Sequence, residues 1–360
     1  MKIAFYGSSL VSAYWNGAAT YYRGLLRALA KRGYDITFYE PDVYDRQKNR
    51  DMDPPDWAKV VVYDGTLDAL LAVTRKAAEA DIVVKASGVG FEDNLLLEDI
   101  LRHARPDAMR IFWDVDAPAT LAEIRSAPGH PLRRALGTLD MVLTYGGGAP
   151  VVSAYRALGA KDCAPIYNAL DPQAHFPVPP DPRFAADLGF LGNRLPDREA
   201  RVEHFFLEPA ARVPNKRFLL GGSGWQGKPM SDNVRSIGHV PTRDHNAFNV
   251  TPKAVLNISR ESMASNGFSP ATRVFEAAGA CLITDHWEGI DLFLKPEEEI
   301  LVARDGQDVV EIMAGLTNDR ASEIGRRALA RVTSEHTYTQ RAEDADRIFK
   351  RHFENLEAAE

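Results

Sequence analysis

The sequence predicts an α/β protein built from two doubly wound parallel sheets, and three observations carry that prediction. Short apolar runs alternate with amphipathic stretches of helical period from the first residue onward. The alternation stops at the densest proline cluster of the chain, Pro172 to Arg183, and then restarts. At 360 residues the chain is long enough for two domains with separate cores.

Taken in order, Lys2 to Tyr6 is expected as the first strand, Ala19 to Arg32 as an amphipathic helix and Asp35 to Tyr39 as the next strand. Further strands are expected near Lys59 to Tyr63, Asp81 to Lys85, Met109 to Trp113, Asp140 to Thr144 and Cys163 to Tyr167, with helices at Leu67 to Ala80 and Asn94 to His103 between them. Strands that read as continuous apolar runs are covered on both faces, which is the condition of a parallel sheet. The first domain therefore spans 1–171. A semi-rigid linker follows over 172–185, where proline excludes regular structure. The second domain, 186–335, offers strands at Asp187 to Leu191, Arg217 to Leu220, Arg235 to His239, Ala254 to Ile258, Cys281 to Thr284 and Glu299 to Val302. Residues 336–360 hold a charged amphipathic helix, Gln340 to Leu356.

Composition narrows the function classes. A net charge of -7 argues against general binding to nucleic acid or anionic membranes, which need a basic surface. Two cysteines, Cys163 and Cys281, can build neither a disulfide framework nor a zinc set, and read as buried thiols. The opening MKIAFYGSSL is too short an apolar run for a signal peptide, and no stretch approaches the ~20 apolar residues of a membrane span. A cytoplasmic location is expected. Gly7-Ser8-Ser9 stands where a dinucleotide binder would carry G-x-G-x-x-G, so a nicotinamide or flavin enzyme is disfavoured.

The richest stretch is Asn257 to Glu288, NISRESMASNGFSPATRVFEAAGACLITDHWE. A strand ends in Ser259 and Arg260, a polar loop follows, and Ser269-Pro270 opens a helix with the serine as N-cap and proline in the first turn. The helix carries Arg273 and Glu276, stops at Gly279 and leads into the next strand. A helix N-terminus at the carboxyl end of a parallel sheet attracts anions. Arg260 and Arg273 add guanidinium groups that grip a diphosphate, and Glu276 a carboxylate that takes two ribose hydroxyls. The competing reading pairs Arg273 with Glu276, three residues apart, on a solvated face.

The segment SPATRVFEAAGACLITDHWEGIDLFLKPEEEILVA resembles the donor-site region of the spore-maturation (CgeB-type) glycosyltransferase-like family, a branch near the group 1 glycosyltransferases. The resemblance extends to Ile111 to Leu121, Asp140 to Val151 and Asp187 to Arg198, and so covers most of the chain in order. It implies the GT-B architecture, two Rossmann-like domains facing across a cleft, with the acceptor on the first and a nucleotide sugar on the second. It also implies that the C-terminal helix packs back on the first domain. One departure stands out. Group 1 enzymes carry a Glu-x7-Glu pair, and the position of the first glutamate is Phe268 here.

Around this core the sequence offers further candidates. Asp114 and Asp116 close a strand of the first sheet and are expected to reach acceptor hydroxyls, one as general base, unless one merely caps the following helix. Asn193, Arg194 and Arg198 follow the first strand of the second domain, near the diphosphate by family analogy, against the alternative of ion pairs with Asp197 or Glu199. Ser223 lies in the Gly221 to Trp225 loop, whose glycines permit close approach and whose Trp225 is available to stack on a base. His245 and His286 are isolated, without metal spacing, and Asp285, His286 and Glu288 form a polar group after a core strand. The reading is a metal-independent glycosyltransferase (hexosyltransferase-like) that uses a nucleotide sugar, UDP-linked by preference, as substrate and needs no cofactor. Its partners are that donor and a small-molecule, glycan or protein acceptor, with no nucleic acid. The rivals are a nucleotide-sugar 2-epimerase of the same fold and a binding module that has lost catalysis, as Phe268 would favour.

Overall fold

The computed structural model describes residues 1–358 apart from Trp15, 265–270 and Ala278, and apart from the side chains of Ser262 and Thr272. It divides into two compact units: Met1–Tyr167 together with Tyr338–Glu360, and Asn168–Thr337.

The first unit holds a parallel sheet of seven strands, β1 (Lys2–Tyr6), β2 (Asp35–Asp42), β3 (Lys59–Asp64), β4 (Ile82–Ala86), β5 (Met109–Asp114), β6 (Met141–Thr144) and β7 (Cys163–Pro165). Their order in space is β3-β2-β1-β4-β5-β6-β7, so the winding reverses between β1 and β4. Alternation along β1 shows why the strands are apolar throughout. Tyr6 stacks on Tyr39 at 4.6 Å within the group of Leu70, Leu96 and Ile100. Phe5, one residue earlier, meets Phe38 at 5.2 Å and Tyr22 of the helix Ala19–Lys31 at 5.4 Å. Both sheet faces are core. The helix buries Tyr22, Leu25, Leu26 and Leu29, the i, i+3, i+4, i+7 stripe that its sequence announces.

The second unit carries β8 (Leu188–Leu191), β9 (Phe218–Gly221), β10 (Val234–Gly238), β11 (Ala254–Asn257), β12 (Leu282–Asp285) and β13 (Leu301–Ala303), all parallel, in the order β10-β9-β8-β11-β12-β13. Here the reversal lies between β8 and β11. Phe190, Phe206, Phe218, Leu256 and Ile283 are buried together in its main core.

Two elements differ from the sequence expectation. The helix from Leu67 ends at Thr74 and tightens into a 3-10 turn, Arg75–Glu79, where the Thr74 hydroxyl meets the buried Asp99 carboxylate at 2.6 Å. The proline-rich stretch lies within the second unit: Pro182–Phe184 forms a 3-10 turn with Phe184 buried, and His175 is buried too. The contacts divide at Tyr167/Asn168, ahead of the prolines. The last helix, Tyr338–Glu357, belongs to the first unit and packs on Ala19–Lys31. Both cysteines are free and buried. Among the described residues no helix is long and apolar enough to cross a membrane.

Candidate functional site

In an open α/β sheet the carboxyl ends of the two strands flanking the reversal leave a crevice between their loops. In the second unit those strands are β8, followed by Gly192, Asn193 and Arg194, and β11, followed by Ile258, Ser259 and Arg260.

The loop after β8 is zipped to the loop after β9. Gly192 donates its N–H to Gly221 O at 2.9 Å, Arg194 donates to Ser223 O at 2.9 Å, and Ser223 donates to the Asn193 side-chain oxygen at 2.9 Å. Gly222 has φ +125°, and a Cβ there would fall 2.1 Å from Gly192 O. Its glycine serves the approach of one loop to the other. Trp225 is buried and donates its indole N–H to Gly192 O at 2.8 Å, so it closes the core rather than presenting a ring to a base. Asn193 and Ser223 are engaged with each other.

The arginines sort by their partners. Arg194 grips Glu199 with two bonds of 2.8 and 2.7 Å, and with Lys228 this holds the Glu199 carboxyl down to about 2. The ion pair weighed against a phosphate role is therefore formed. Arg260 gives its Nε to Asp197. Arg198 is placed differently. One terminal nitrogen donates to Asn193 O at 2.7 Å and its guanidinium lies 5.7 Å over the Phe190 ring, while its Nε is buried with no hydrogen-bond partner among the described residues. Burial first, then the charge of Arg273, pushes its pKa below the usual arginine range.

Arg273 lies on the helix Thr272–Glu276, whose N-cap is Ala271 without a side-chain cap. Ser269, the expected cap, lies outside the described residues, as do Pro270 and Phe268. A five-residue helix sums few peptide dipoles, so the attraction for an anion here rests on the arginines. Arg273 donates to the Asn249 side-chain oxygen at 2.6 Å, and its pKa is lowered by burial against the opposing charge of Glu276. The Glu276 carboxylate faces His175 Nε2 at 3.7 Å, the two side chains being 11% and 6% exposed. Asn249 reaches back to the Glu276 carbonyl at 3.4 Å and so clamps both ends of this helix. His245 approaches Val240 O at 3.2 Å, and burial, then the Arg273 charge, drives its pKa down to about 4. With a neutral ring that contact is an Nε2–H donation.

Two members of this group escaped the sequence reading. His175 sits in the stretch assigned to a linker, and Asn249 shows only as a polar residue on the apolar face of the helix His245–Val250. The sequence marks His245 only as isolated, and the charges of Arg273 and Glu276 around it are not visible there. Asp285 separates from the His286 and Glu288 that follow it. It is fully buried, ion-paired with Arg201 at 2.6 Å and receives the Ser259 N–H at 3.0 Å, so it ties β11 to β12 and is closed to any ligand. His286 and Glu288 beyond it are exposed.

In the first unit the two aspartates separate. Asp114 has no accessible surface: it accepts from Ser87 at 2.8 Å, Thr120 at 2.9 Å, the Asp116 N–H at 3.0 Å and the Tyr155 hydroxyl. Burial raises its pKa against those donors. It is sealed off from any acceptor and instead holds the backbone from which Asp116 projects. Asp116 is half-buried, is the N-cap of the helix Ala117–Ser126 and makes no side-chain cap hydrogen bond, so capping does not account for its carboxylate. Among the described residues no cluster of three or more histidine, cysteine or carboxylate side chains is arranged to hold a metal ion.

Two parallel-sheet α/β domains wound in this way define the GT-B fold. Solved glycosyltransferases superpose along the chain. Sucrose-phosphate synthase from Thermosynechococcus elongatus matches with a TM-score of 0.69 and 14% identity over 100% of both chains. Anabaena HepE in complex with UDP-glucose matches at 0.67 with 12% identity, covering 97% of this chain and 99% of that one. The T4 phage BGT in complex with UDP-glucose matches at 0.56 and 10%, covering 100% and 99%. The profile of the glycosyl transferase-like family matches residues 198–346, which include Arg198, Arg273 and Glu276. No curated protein matches by sequence.

Proposed function

We propose that the protein is a glycosyltransferase that moves a hexosyl group from a nucleotide diphosphate, UDP by preference, to an acceptor hydroxyl, in the cytoplasm and without a metal ion. The carrying observation is a pair of half-buried guanidinium groups in the segments that follow β8 and β11: Arg198, whose buried Nε has no hydrogen-bond partner among the described residues, and Arg273, which donates to Asn249, each acted on by the charge of its surroundings. Arg198 feels the charge of Arg273 as well as those of Asp197 and Asp285, and Arg273 that of Glu276; a diphosphate adds a dianion that both guanidinium groups can grip. Glu276 then takes the ribose hydroxyls, and Arg194 and Arg260 stiffen the surrounding loops. Departure of the diphosphate is assisted by the same arginines, the role a metal plays elsewhere. The structures of HepE and the T4 phage protein with UDP-glucose support UDP as the nucleotide. On the first unit, Asp116 is the group to accept the acceptor proton.

The test is calorimetric binding of UDP, with and without a chelator, to wild type and Arg198→Ala. Tight binding that survives chelation and fails in the variant supports the reading, and equal binding by both overturns the site. Phe268, in place of the first glutamate of the group 1 pair, favours a second reading, a nucleotide-sugar-binding module without turnover. Release of UDP from UDP-glucose, to water or to an acceptor, separates the two.

A further inference from the structure

β13 is the outermost strand of the second sheet and pairs on one side only, with β12. Successive residues of a strand present their backbone N–H and C=O to alternate sides. The His286 N–H donates to Ala303 O at 3.0 Å, so Leu301 and Ala303 face β12, while Ile300, Val302 and Arg304 face the open edge. The chain closes both ends of that edge itself. The Glu297 N–H donates to Ile300 O at 2.8 Å, and the Arg304 N–H to the Asp308 carboxylate at 2.9 Å. Between them the N–H and C=O of Val302, a half-buried residue, have no partner among the described residues. An edge left open in this way is a template for another strand.

A groove runs past this edge, between the helix Gly306–Gly315 and the loop after β12. Its larger hollow, of about 660 Å³, has Val302, Trp287, Ile290 and Ile312 in its wall. A smaller one, of about 230 Å³, shares Glu297, Glu311 and Ile312 with it and continues along Leu301. Trp287 is 2% exposed, and its indole N–H is a further donor without an acceptor among the described residues. Apart from His286, the charged side chains that line the groove sort into pairs and a remainder. Arg304 pairs with Asp308 at 2.8 Å and Arg320 with Glu297 at 2.8 Å. Glu288, Asp291 and Glu311 are left over; Glu311 accepts from the neutral Gln307 amide at 2.6 Å and adds its charge to those already on Arg304. Lys295 stands outside the lining.

We infer that this groove docks an extended basic segment of a partner protein, which joins the second sheet as a strand beside β13. The backbone of the segment takes the Val302 N–H and C=O, and its alternate side chains fall towards Ile290 and Ile312. Lysines or arginines of the segment meet Glu288, Asp291 and Glu311, which no ion pair among the described residues neutralises. The same carboxylates repel acidic peptides and nucleic acid. A second copy of the chain, with a net charge of -7, is repelled as well. β13 lies two places from β11 in the sheet, away from the β8/β11 reversal, and the inference does not rest on nucleotide binding.

The probe is a fluorescein-labelled heptapeptide of alternating lysine and valine, capped at both ends, titrated with the full-length chain and followed by anisotropy. Saturable one-to-one binding is expected. Only every second residue of the peptide turns its N–H to β13, so N-methylation of one alternate set is expected to cost about tenfold or more, and of the other set less than about threefold. Glu288→Gln with Glu311→Gln is expected to weaken binding by about tenfold at an unchanged melting temperature. Equal effects of the two methylated sets overturn the strand-wise docking. Equal binding of a lysine–glycine peptide, or of a glutamate–valine one, overturns the groove as a reader of basic apolar segments. No binding, or binding indifferent to the two glutamines, removes the assignment altogether. Sedimentation gives the last arm: a monomer supports a foreign partner, and self-association that excludes the peptide makes the occupant a second copy and overturns the inference.

Discussion

Neighbouring arginines of the second unit carry the same charge and do different work, and their partners decide which. Arg198→Ala and Arg273→Ala are expected to weaken UDP binding by about 1.5–3 kcal/mol each, roughly ten- to a hundredfold, with uridine binding little changed. Arg194→Ala, which breaks the Glu199 pair, is expected to leave the UDP affinity within about threefold, because an exposed ion pair contributes little. Titration calorimetry of the three variants checks the ordering, and an Arg194 effect as large as that of Arg198 would contradict it. His245 gives a pH dependence. Its folded pKa of about 4 lies below the unfolded value near 6.5. The unfolded chain therefore takes up the proton first, and stability is complete above pH 6.5 and falls as the pH drops towards 4. The loss is at most about 3 kcal/mol, and His245→Gln, which can still donate to Val240 O, is expected to flatten it in urea titrations at pH 7.5 and 5. Arg198 was legible from its place after a strand, and Arg273 and Glu276 from the helix expected to open at Ser269-Pro270. Which arginine was spent on a carboxylate was not legible: Asp197 and Glu199 stand near Arg194 and Arg198 alike, and Arg260, which gives its Nε to Asp197, is 63 residues away in sequence.

Most strands were legible to within two or three residues, because parallel strands must be apolar from end to end, while helix ends were less so, as at Leu67–Thr74. The ties between elements were not, since they join residues far apart in the chain. The strongest joins the helix Glu199–Val202 to the ends of β11 and β12: Arg201 donates to Asp285 at 2.6 Å and to Ser259 O at 3.0 Å. Asp285 is fully buried, and desolvation raises its pKa even with this partner. Arg201→Ala strands that carboxylate and is expected to cost about 3–5 kcal/mol in chemical denaturation. Replacing Asp285 by alanine as well removes the stranded group, and the double variant is expected to recover a large part of the loss. If the two substitutions simply add, the pair is not a unit and the tie is incidental. The same logic explains Asp114. Position at a strand end marked it as a ligand contact, but Tyr155, Ser87 and Thr120 converge on it from other elements, which periodicity cannot show.

At the scale of the molecule, the segment Tyr338–Glu360 belongs to the same unit as Met1–Tyr167, and that unit depends on it. Tyr338, Ala342, Ala345 and Phe349 of the final helix are buried, and Phe349 meets Tyr34 edge-on at 5.7 Å. Asp346 receives Arg32 at 2.7 Å and the Tyr34 hydroxyl at 2.8 Å. Gly24 shows how close the packing is: a Cβ there would stand 2.1 Å from the Tyr338 ring. Removing 338–360 exposes this seam on the helix Ala19–Lys31 and leaves Tyr34 beside an empty groove. Losing one buried phenylalanine costs about 3–5 kcal/mol, and a whole domain is stable by about 5–15 kcal/mol, so losing the full helix is expected to unfold the first unit outright. The second unit, which keeps all of its strands, is expected to survive. Native-state hydrogen exchange on the full chain and the truncated chain distinguishes the two: protection of β1, β4 and β5 should vanish while that of β8, β11 and β12 remains. Phe349→Ala and Gly24→Val, each acting on one contact of the same seam, are expected to lower protection in the first unit alone. If the truncated chain keeps the protection of β1, the final helix is only an appendage. Loss of protection in both sheets at once would mean that the chain unfolds as one cooperative body rather than two.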